Sequence, residues 1–290
     1  MIKSMTGFGA ADGTVGPTRV SVEIRAVNHR FFNPSIKLPN ELSRWEAEVR
    51  EALRRGVTRG HVTLTARVER NRAEEARIDA ERFGVYVQQI RDLQERFGLA
   101  APIDAATILR LPDVIASEAD DASGTAEEFV AIVGRAVEAL DRMRIGEGAK
   151  LAKYVEARLA IIADAVQRIS ERAPQRLVEQ RDRLHAAVQE IAAGVKIDDQ
   201  RLAQEVAILA DRLDVSEELG RFHAHLGAVA STLATPPADG VGKRLGFLLQ
   251  ELLREANTTG SKANDAAIVR DVILVKEELE RIREQVENLE

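Results

Sequence analysis

Apolar and polar residues alternate from Arg19 to Val27, with Val20, Val22 and Ile24 on one side, which predicts a strand. Phe31 to Leu38 reads as a second, irregular strand, because Pro34 lacks an N–H and interrupts the ladder. Pro39-Asn40 stops that strand and can cap a helix. Leu42, Trp45, Val49 and Leu53 then recur at helical spacing up to Gly56. Alternation returns from His61 to Val68 through Val62, Leu64 and Ala66. Asp79 to Gly98 is helical, with Phe83, Tyr86, Val87, Ile90, Leu93 and Phe97 on the apolar side.

Beyond residue 100 no segment carries a convincing strand pattern. Glu118 to Gly124 reads as a polar loop, and Thr125 with Glu128 forms a capping box ahead of a long helical pattern. Pro174 is expected to break that helix. A further helix should reach Ala193 before Gly194, followed by a pair over Asp199–Leu213 and Ser216–Leu233. Thr235 to Gly242 is a Pro/Gly loop, Gly242 to Ala256 a helix, and Asn257 to Ser261 a polar break. In the last segment Val272, Val275, Leu279, Ile282, Val286 and Leu289 follow heptad spacing. Such a stripe can pack within the subunit or against another copy, and so short a run favours the first. The expected fold is therefore α+β: a small mixed α/β N-terminal domain over 1–100, then a mostly α remainder. The latter comprises a long-helix connecting region over 101–196 and a C-terminal helical domain over 197–290.

Composition narrows this picture. Of 290 residues 45% are hydrophobic and only 4% aromatic, so a packed core of amphipathic helices suits the chain better than a β-sandwich. Cysteine is absent, which excludes disulfides and thiolate metal sites and suits a reducing cytoplasm. The opening MIKSMTGFGA is too short and polar for a signal peptide, and no stretch approaches a membrane span. The net charge of −6 is unevenly spread: Arg19 to Arg70 holds 11 Lys/Arg against 6 Asp/Glu. A basic N-terminal part thus precedes an acidic body, a distribution compatible with nucleic acid despite the net sign, and equally with an uneven surface of no consequence.

Several longer strings carry a resemblance. Met1-Ile2-Lys3-Ser4-Met5-Thr6-Gly7-Phe8-Gly9 and Glu23-Ile24-Arg25-Ala26-Val27-Asn28-His29-Arg30-Phe31 resemble the corresponding parts of YicC-like proteins. So do Arg201-Leu202 with Glu205-Val206, Asp214-Val215 with Glu217-Glu218-Leu219, and His225-Leu226. The far end agrees in Gly242-Lys243-Arg244-Leu245, Phe247-Leu248-Leu249-Gln250-Glu251, Arg254-Glu255-Ala256-Asn257-Thr258 and Gly260-Ser261-Lys262. His61, Gly246 and Leu253 depart from the familial pattern. The resemblance spans the chain in order and implies an endoribonuclease, acting with a divalent metal such as Mg²⁺ or Mn²⁺. It also implies a homo-oligomer, with a hexamer the expected state. RNA, further copies of the chain and other RNA-degradation proteins are the expected partners, with no membrane. An RNA-binding adaptor that presents RNA to another nuclease is the alternative.

RNA cleavage needs an activated nucleophile and groups that neutralise charge on phosphate oxygens. Glu251 and Glu255 are four apart on a helix and share a face, where they can hold a metal or simply form a solvated, Arg254-compensated surface. His223 and His225 point about 200° apart, so they do not chelate one ion, and the resemblance favours His225 as the functional one. Asn257 to Lys262 offers hydroxyls, a glycine and a lysine that could hold a phosphate, or an ordinary interhelical turn. His29 is a candidate proton carrier at a strand end, with Arg25 and Arg30 as phosphate contacts. Lys243, Arg244 and Arg254 are further candidate RNA contacts. Glu251, Glu255, His225 and His29 are thus the expected catalytic group, and Glu251 and Glu255 the expected metal ligands. For stacking on bases only Phe31 and Phe32 stand out, one of which belongs to the core.

Overall fold

The computed structural model describes residues 1–69, 77–112, 114–116, 124–191, 199–237 and 240–290. The chain groups into two compact units, Phe8–Asp141 on one side and Met1–Gly7 with Arg142–Glu290 on the other. It is α+β, as expected, with one small sheet and a mostly helical remainder.

In the first unit four strands, β1 (Gly7–Val15), β2 (Thr18–Val27), β3 (Phe32–Lys37) and β4 (Gly60–Glu69), pair in the order β1-β2-β4-β3. β2 and β4 are antiparallel, with Ile24 opposite Leu64, whereas β3 and β4 are parallel, with Ile36 opposite Leu64. A parallel pair needs a crossover. It is supplied by a 3₁₀ turn (Asn40–Trp45) running into helix α1 (Glu46–Gly56). Val20, Val22, Ile24 and Ala26 of β2 and Val62 and Leu64 of β4 are buried in one cluster with Val49 and Leu53 of α1. Phe129, Ile132, Val133, Ala136 and Leu140, from the start of the long helix α4 (Ala126–Ile191), complete that cluster. The period of two therefore sends Arg19, Ser21, Glu23, Arg25 and Val27 to the opposite face, which those helices leave open. β1 escaped the sequence reading because three of its inward positions, Gly7, Gly9 and Gly13, are glycines and only Ala11 and Val15 are apolar side chains. A Cβ at Gly9 would lie 2.2 Å from the Ala136 carbonyl oxygen, so β1 can approach α4 only without a side chain there.

The same unit contains helix α2 (Ala80–Phe97), helix α3 (Ala105–Ile108) and a two-stranded pair, β5 (Arg77–Ile78) with β6 (Ile115–Ala116), which lies where no strand was expected. Asp79 caps α2 through the Arg82 N–H at 2.9 Å, and Gly98 ends it at a φ of 63°. The apolar side of α2 is real, yet none of its residues is buried. The capping box ahead of α4 also forms: Thr125 N–H reaches Glu128 at 3.2 Å and Glu128 N–H reaches Thr125 Oγ1 at 3.3 Å.

The second unit packs α4 from Arg142 onward with α5 (Asp199–Leu213), α6 (Ser216–Ala234), α7 (Val241–Lys262) and α8 (Ala266–Val286). The heptad stripe of α8 is satisfied inside the chain: Val272, Val275, Leu279, Ile282 and Val286 share one buried cluster with Phe222, Leu245, Leu252 and Ile162. The two ends of the chain meet in this unit. Lys3 N–H donates to Glu290 O at 2.9 Å, and Glu290 N–H returns the bond at 2.8 Å. Buried Arg144 donates to Ser4 O at 2.7 Å and to the Glu290 side chain.

Two expectations are corrected here. Pro174 does not end its helix, since α4 runs through it. Proline withholds one ladder hydrogen bond, but arginines at successive turns fasten both sides of the position. Arg168 reaches Asp271 at 2.9 Å, and Arg172 reaches Asp265 at 2.8 Å and Glu179 at 2.6 Å. Arg176, 2% exposed, donates to the carbonyls of Lys262, Ala263 and Leu213, where α7 and α5 end. Asn257 to Ser261, expected as a break, forms the last turns of α7. Its hydroxyls bond back to the helix, Thr258 to Arg254 O at 3.1 Å and Ser261 to Thr258 O at 2.8 Å, and Thr259 is buried. The helix end expected near Ala193 and the polar loop over 118–123 lie outside the described residues.

Candidate functional site

Helices α6 and α7 form an antiparallel hairpin whose apolar sides, Leu219, Phe222 and Val229 against Leu245, Leu249 and Leu252, are buried together. Along one edge of this packing runs a series of charged side chains. Lys262 Nζ lies 2.8 Å from Glu218 and 3.0 Å from the Asp214 carbonyl oxygen. Arg221 reaches Glu255 at 3.5 Å and also bonds Glu217. Glu218 and Glu255 are 6% and 3% exposed, so both carboxylates sit in the protein and are compensated by cations at its rim. Glu217, then Glu255, hold the Arg221 guanidinium above its ordinary value. The Ser216 hydroxyl and N–H keep the Asp214 carboxyl below the usual carboxylate range. Among the described residues, one oxygen of Glu218 and the Thr259 hydroxyl are buried with no hydrogen-bond partner.

The antiparallel register extends this series. One helical turn beyond Arg221 on α6 is His225, and one turn before Glu255 on α7 is Glu251, so the Arg221–Glu255 and Lys262–Glu218 contacts together set His225 within a turn of Glu251 across the hairpin. His225 is half-buried and the Glu251 side chain is 28% exposed, its nearest described cation being Arg254 at 4.0 Å. Glu251, Glu255, Thr259 and Lys262 therefore line one face of α7, which brings Lys262 to the stripe along a continuous helix. The backbone N–H groups of 257–262 are taken up within the helix and do not form a phosphate cradle.

Glu251 and Glu255, the expected metal ligands, do not form a ready-made cage of protein donors. Among the described residues no group of three His, Cys, Asp or Glu side chains is arranged to hold an ion. Glu255, one of the two expected ligands, is already bonded by Arg221. His223, on the other side of α6, is tied to Leu219 O at 2.7 Å.

The remaining expected residues fall in two places. In the second unit Lys243 and Arg244 are exposed in the first turn of α7, and Arg254 and Asn257 are exposed further along it. Gly242 precedes the cations because a Cβ there would lie 2.7 Å from the Leu289 carbonyl oxygen. In the first unit Arg25 and Arg30 are exposed, and His29 is anchored through Nδ1, which lies 2.9 Å from Phe31 O and 3.2 Å from Phe31 N. Phe32 is the core member of the Phe31-Phe32 pair, and Phe31 is 65% exposed.

Three residues escaped the sequence reading. Glu218 and Arg221 hold the hairpin charges, and Glu218 was traceable as an acid beside Leu219 and Phe222 on the buried side of α6. Phe8 projects from β1 on the open face of the sheet, beneath the Arg25 guanidinium at 5.7 Å from its ring centre. The alternation of Gly7, Phe8 and Gly9 was the available signal.

Comparison with known proteins covers nearly the whole chain. Residues 2–153 match the family described as endoribonuclease YicC-like, N-terminal region, and residues 169–290 match endoribonuclease YicC-like, C-terminal. A relative from Clostridioides difficile named probable endoribonuclease YicC is 31% identical over 298 residues, covering all of both chains. One of the same name from Haemophilus influenzae is 31% identical over 292 residues, again covering all of both chains.

Proposed function

Because the chain belongs to the YicC-like endoribonuclease family, we propose that it binds RNA and cuts it internally, in RNA turnover in the cytoplasm. The full-length match to two relatives of that name carries this reading. The geometry supports it in two ways. An open sheet face with exposed Arg25 and Arg30 suits a polyanion. The α6–α7 hairpin holds a half-buried histidine within a turn of an acid whose ion-pair partner among the described residues is the exposed Arg254.

His225 and Glu251 are the proposed acid–base pair. Glu251 orients the imidazole, and His225 exchanges a proton with the attacking or leaving oxygen at the phosphate. Glu255 is a positioning residue: bonded to Arg221, it fixes the register that sets His225 against Glu251. Arg254, Asn257, Lys243 and Arg244, exposed on α7, contact RNA phosphates, and Lys262 braces the stripe through Glu218. His29, with its ring anchored on Phe31, is the second proton carrier on the sheet unit.

The homo-oligomer, a hexamer in this proposal, draws its support from α2 and not from α8. Leu93 and Phe97 on the apolar stripe of α2 are 50% and 63% exposed, and Leu99 just beyond is 60% exposed. An amphipathic helix with no buried residue is stable when a second copy covers its stripe. Among the described residues no helix is long and apolar enough to cross a membrane.

Purified full-length protein incubated with end-labelled RNA, with and without EDTA, tests the proposal. Discrete internal cleavage supports it, and loss of that cleavage in EDTA shows a need for divalent metal. Intact RNA in a stable complex identifies an adaptor, and no binding at all rejects the RNA reading.

A further inference from the structure

Resting on the RNA reading above, a more specific feature appears on the open face of the sheet. β2 turns Val20, Val22, Ile24 and Ala26 inward, so Arg25 and Val27 face outward, and Val27 is 49% exposed. Arg25 lies over the ring of Phe8, which is 40% exposed on the neighbouring strand. Phe32 packs inward opposite Gly60 at the start of β3, and Phe31, in the bend just before it, is 65% exposed, with the Arg30 guanidinium 5.2 Å from its ring centre. One end of the face thus carries two exposed aromatic planes, each beside an arginine.

Exposed phenylalanines cost hydration free energy, and two beside cations form an amphipathic patch whose partner must be both flat and anionic. Charge decides between partners. Glu23 is shared between Arg25 at 3.8 Å and Arg67 at 3.9 Å, so one carboxylate answers two guanidiniums, and Arg30 adds another cation. A duplex has its bases already stacked and offers only phosphates and groove edges, for which aromatic rings add little. A single strand offers unpaired bases and phosphates together.

We propose that this end of the sheet is a single-strand RNA platform, on which Phe8 and Phe31 stack unpaired bases while Arg25 and Arg30 contact the phosphates. The enzyme then selects unpaired segments by stacking, with little reading of base identity.

The test uses the full-length protein and fluorescence anisotropy with a labelled single-stranded oligoribonucleotide and with its perfect duplex. The variants are Phe8→Leu with Phe31→Leu, which keep apolar bulk and remove the ring, and Phe8→Tyr with Phe31→Tyr, which keep the ring. Thermal midpoints and light-scattering masses are measured for every variant beside wild type. The leucine pair should weaken single-strand binding by about tenfold or more, the scale of lost base–aromatic stacking, and leave duplex binding within about twofold. The tyrosine pair should restore single-strand binding. A 2-aminopurine in the strand should be quenched on wild type and less so on the leucine pair. Unchanged single-strand affinity in the leucine pair, with wild type still binding RNA, overturns the platform and leaves the endoribonuclease reading intact. Failure of wild type to bind either RNA overturns both. A changed oligomeric mass in the leucine pair overturns the platform in favour of a subunit contact.

Discussion

Arg221 of α6 stands 3.5 Å from Glu255 of α7, and this contact separates the two acids of α7 into different roles. Glu255 is buried with a guanidinium at its rim, whereas Glu251, one turn away, is the more exposed acid within a turn of His225. Replacing Arg221 with Met leaves a buried carboxylate without its cation and should lower the denaturation midpoint. Adding Glu255→Gln to Arg221→Met should recover part of that loss. Urea denaturation of the four proteins of the double-mutant cycle measures it, and additive losses would deny the coupling.

Arg176 should matter more. Its guanidinium is the described partner of three carbonyls at the ends of α5 and α7. Arg176→Met removes those donors and should cost about 3–5 kcal/mol. Denaturation midpoints check it.

Much of this architecture was legible in the sequence, because a period of two or 3.6 registers where one face is buried. β2, β4, α6 and α8 follow from that alone. What was not legible depended on contacts distant in sequence. Gly9 hides β1, since its inward position is set by the approach of Ala136 and carries no apolar side chain. Pro174 looks like a stop until Arg172 and Arg176 find Asp265 and the helix-end carbonyls. The candidate site was half legible: Glu251, Glu255 and Lys262 share a helix face by spacing, but their partners on α6 follow only from the hairpin register.

Acid should weaken the fold through specific carboxylates. Asp214 is held below its ordinary value by Ser216, and Glu128 by the N–H groups of Gly16 and Thr125. A depressed carboxylate contributes stability that is complete above its unfolded value, about 4, and is lost as pH falls through the lower folded value. Thermal midpoints should therefore be flat from about pH 7 to pH 5 and fall below about pH 4. Asp214→Asn should shallow that fall; an unchanged slope would contradict the assignment.

Assembly should depend on α2. Ile90→Glu with Phe97→Glu places charge on its apolar stripe and should release monomers with the helical fold retained. Light scattering with circular dichroism reads both quantities, and an unchanged oligomer would move the interface elsewhere.

The most direct measurement is the rate at which wild type, Glu251→Gln and His225→Ala cleave one labelled RNA under saturating protein. Wild type should cut internally. Each variant should bind the RNA but cleave about a hundredfold or more slower, the equivalent of roughly 3 kcal/mol of transition-state stabilisation. Cleavage by both variants at wild-type rates would contradict the hairpin site, and an uncut RNA with wild type would contradict the endoribonuclease itself.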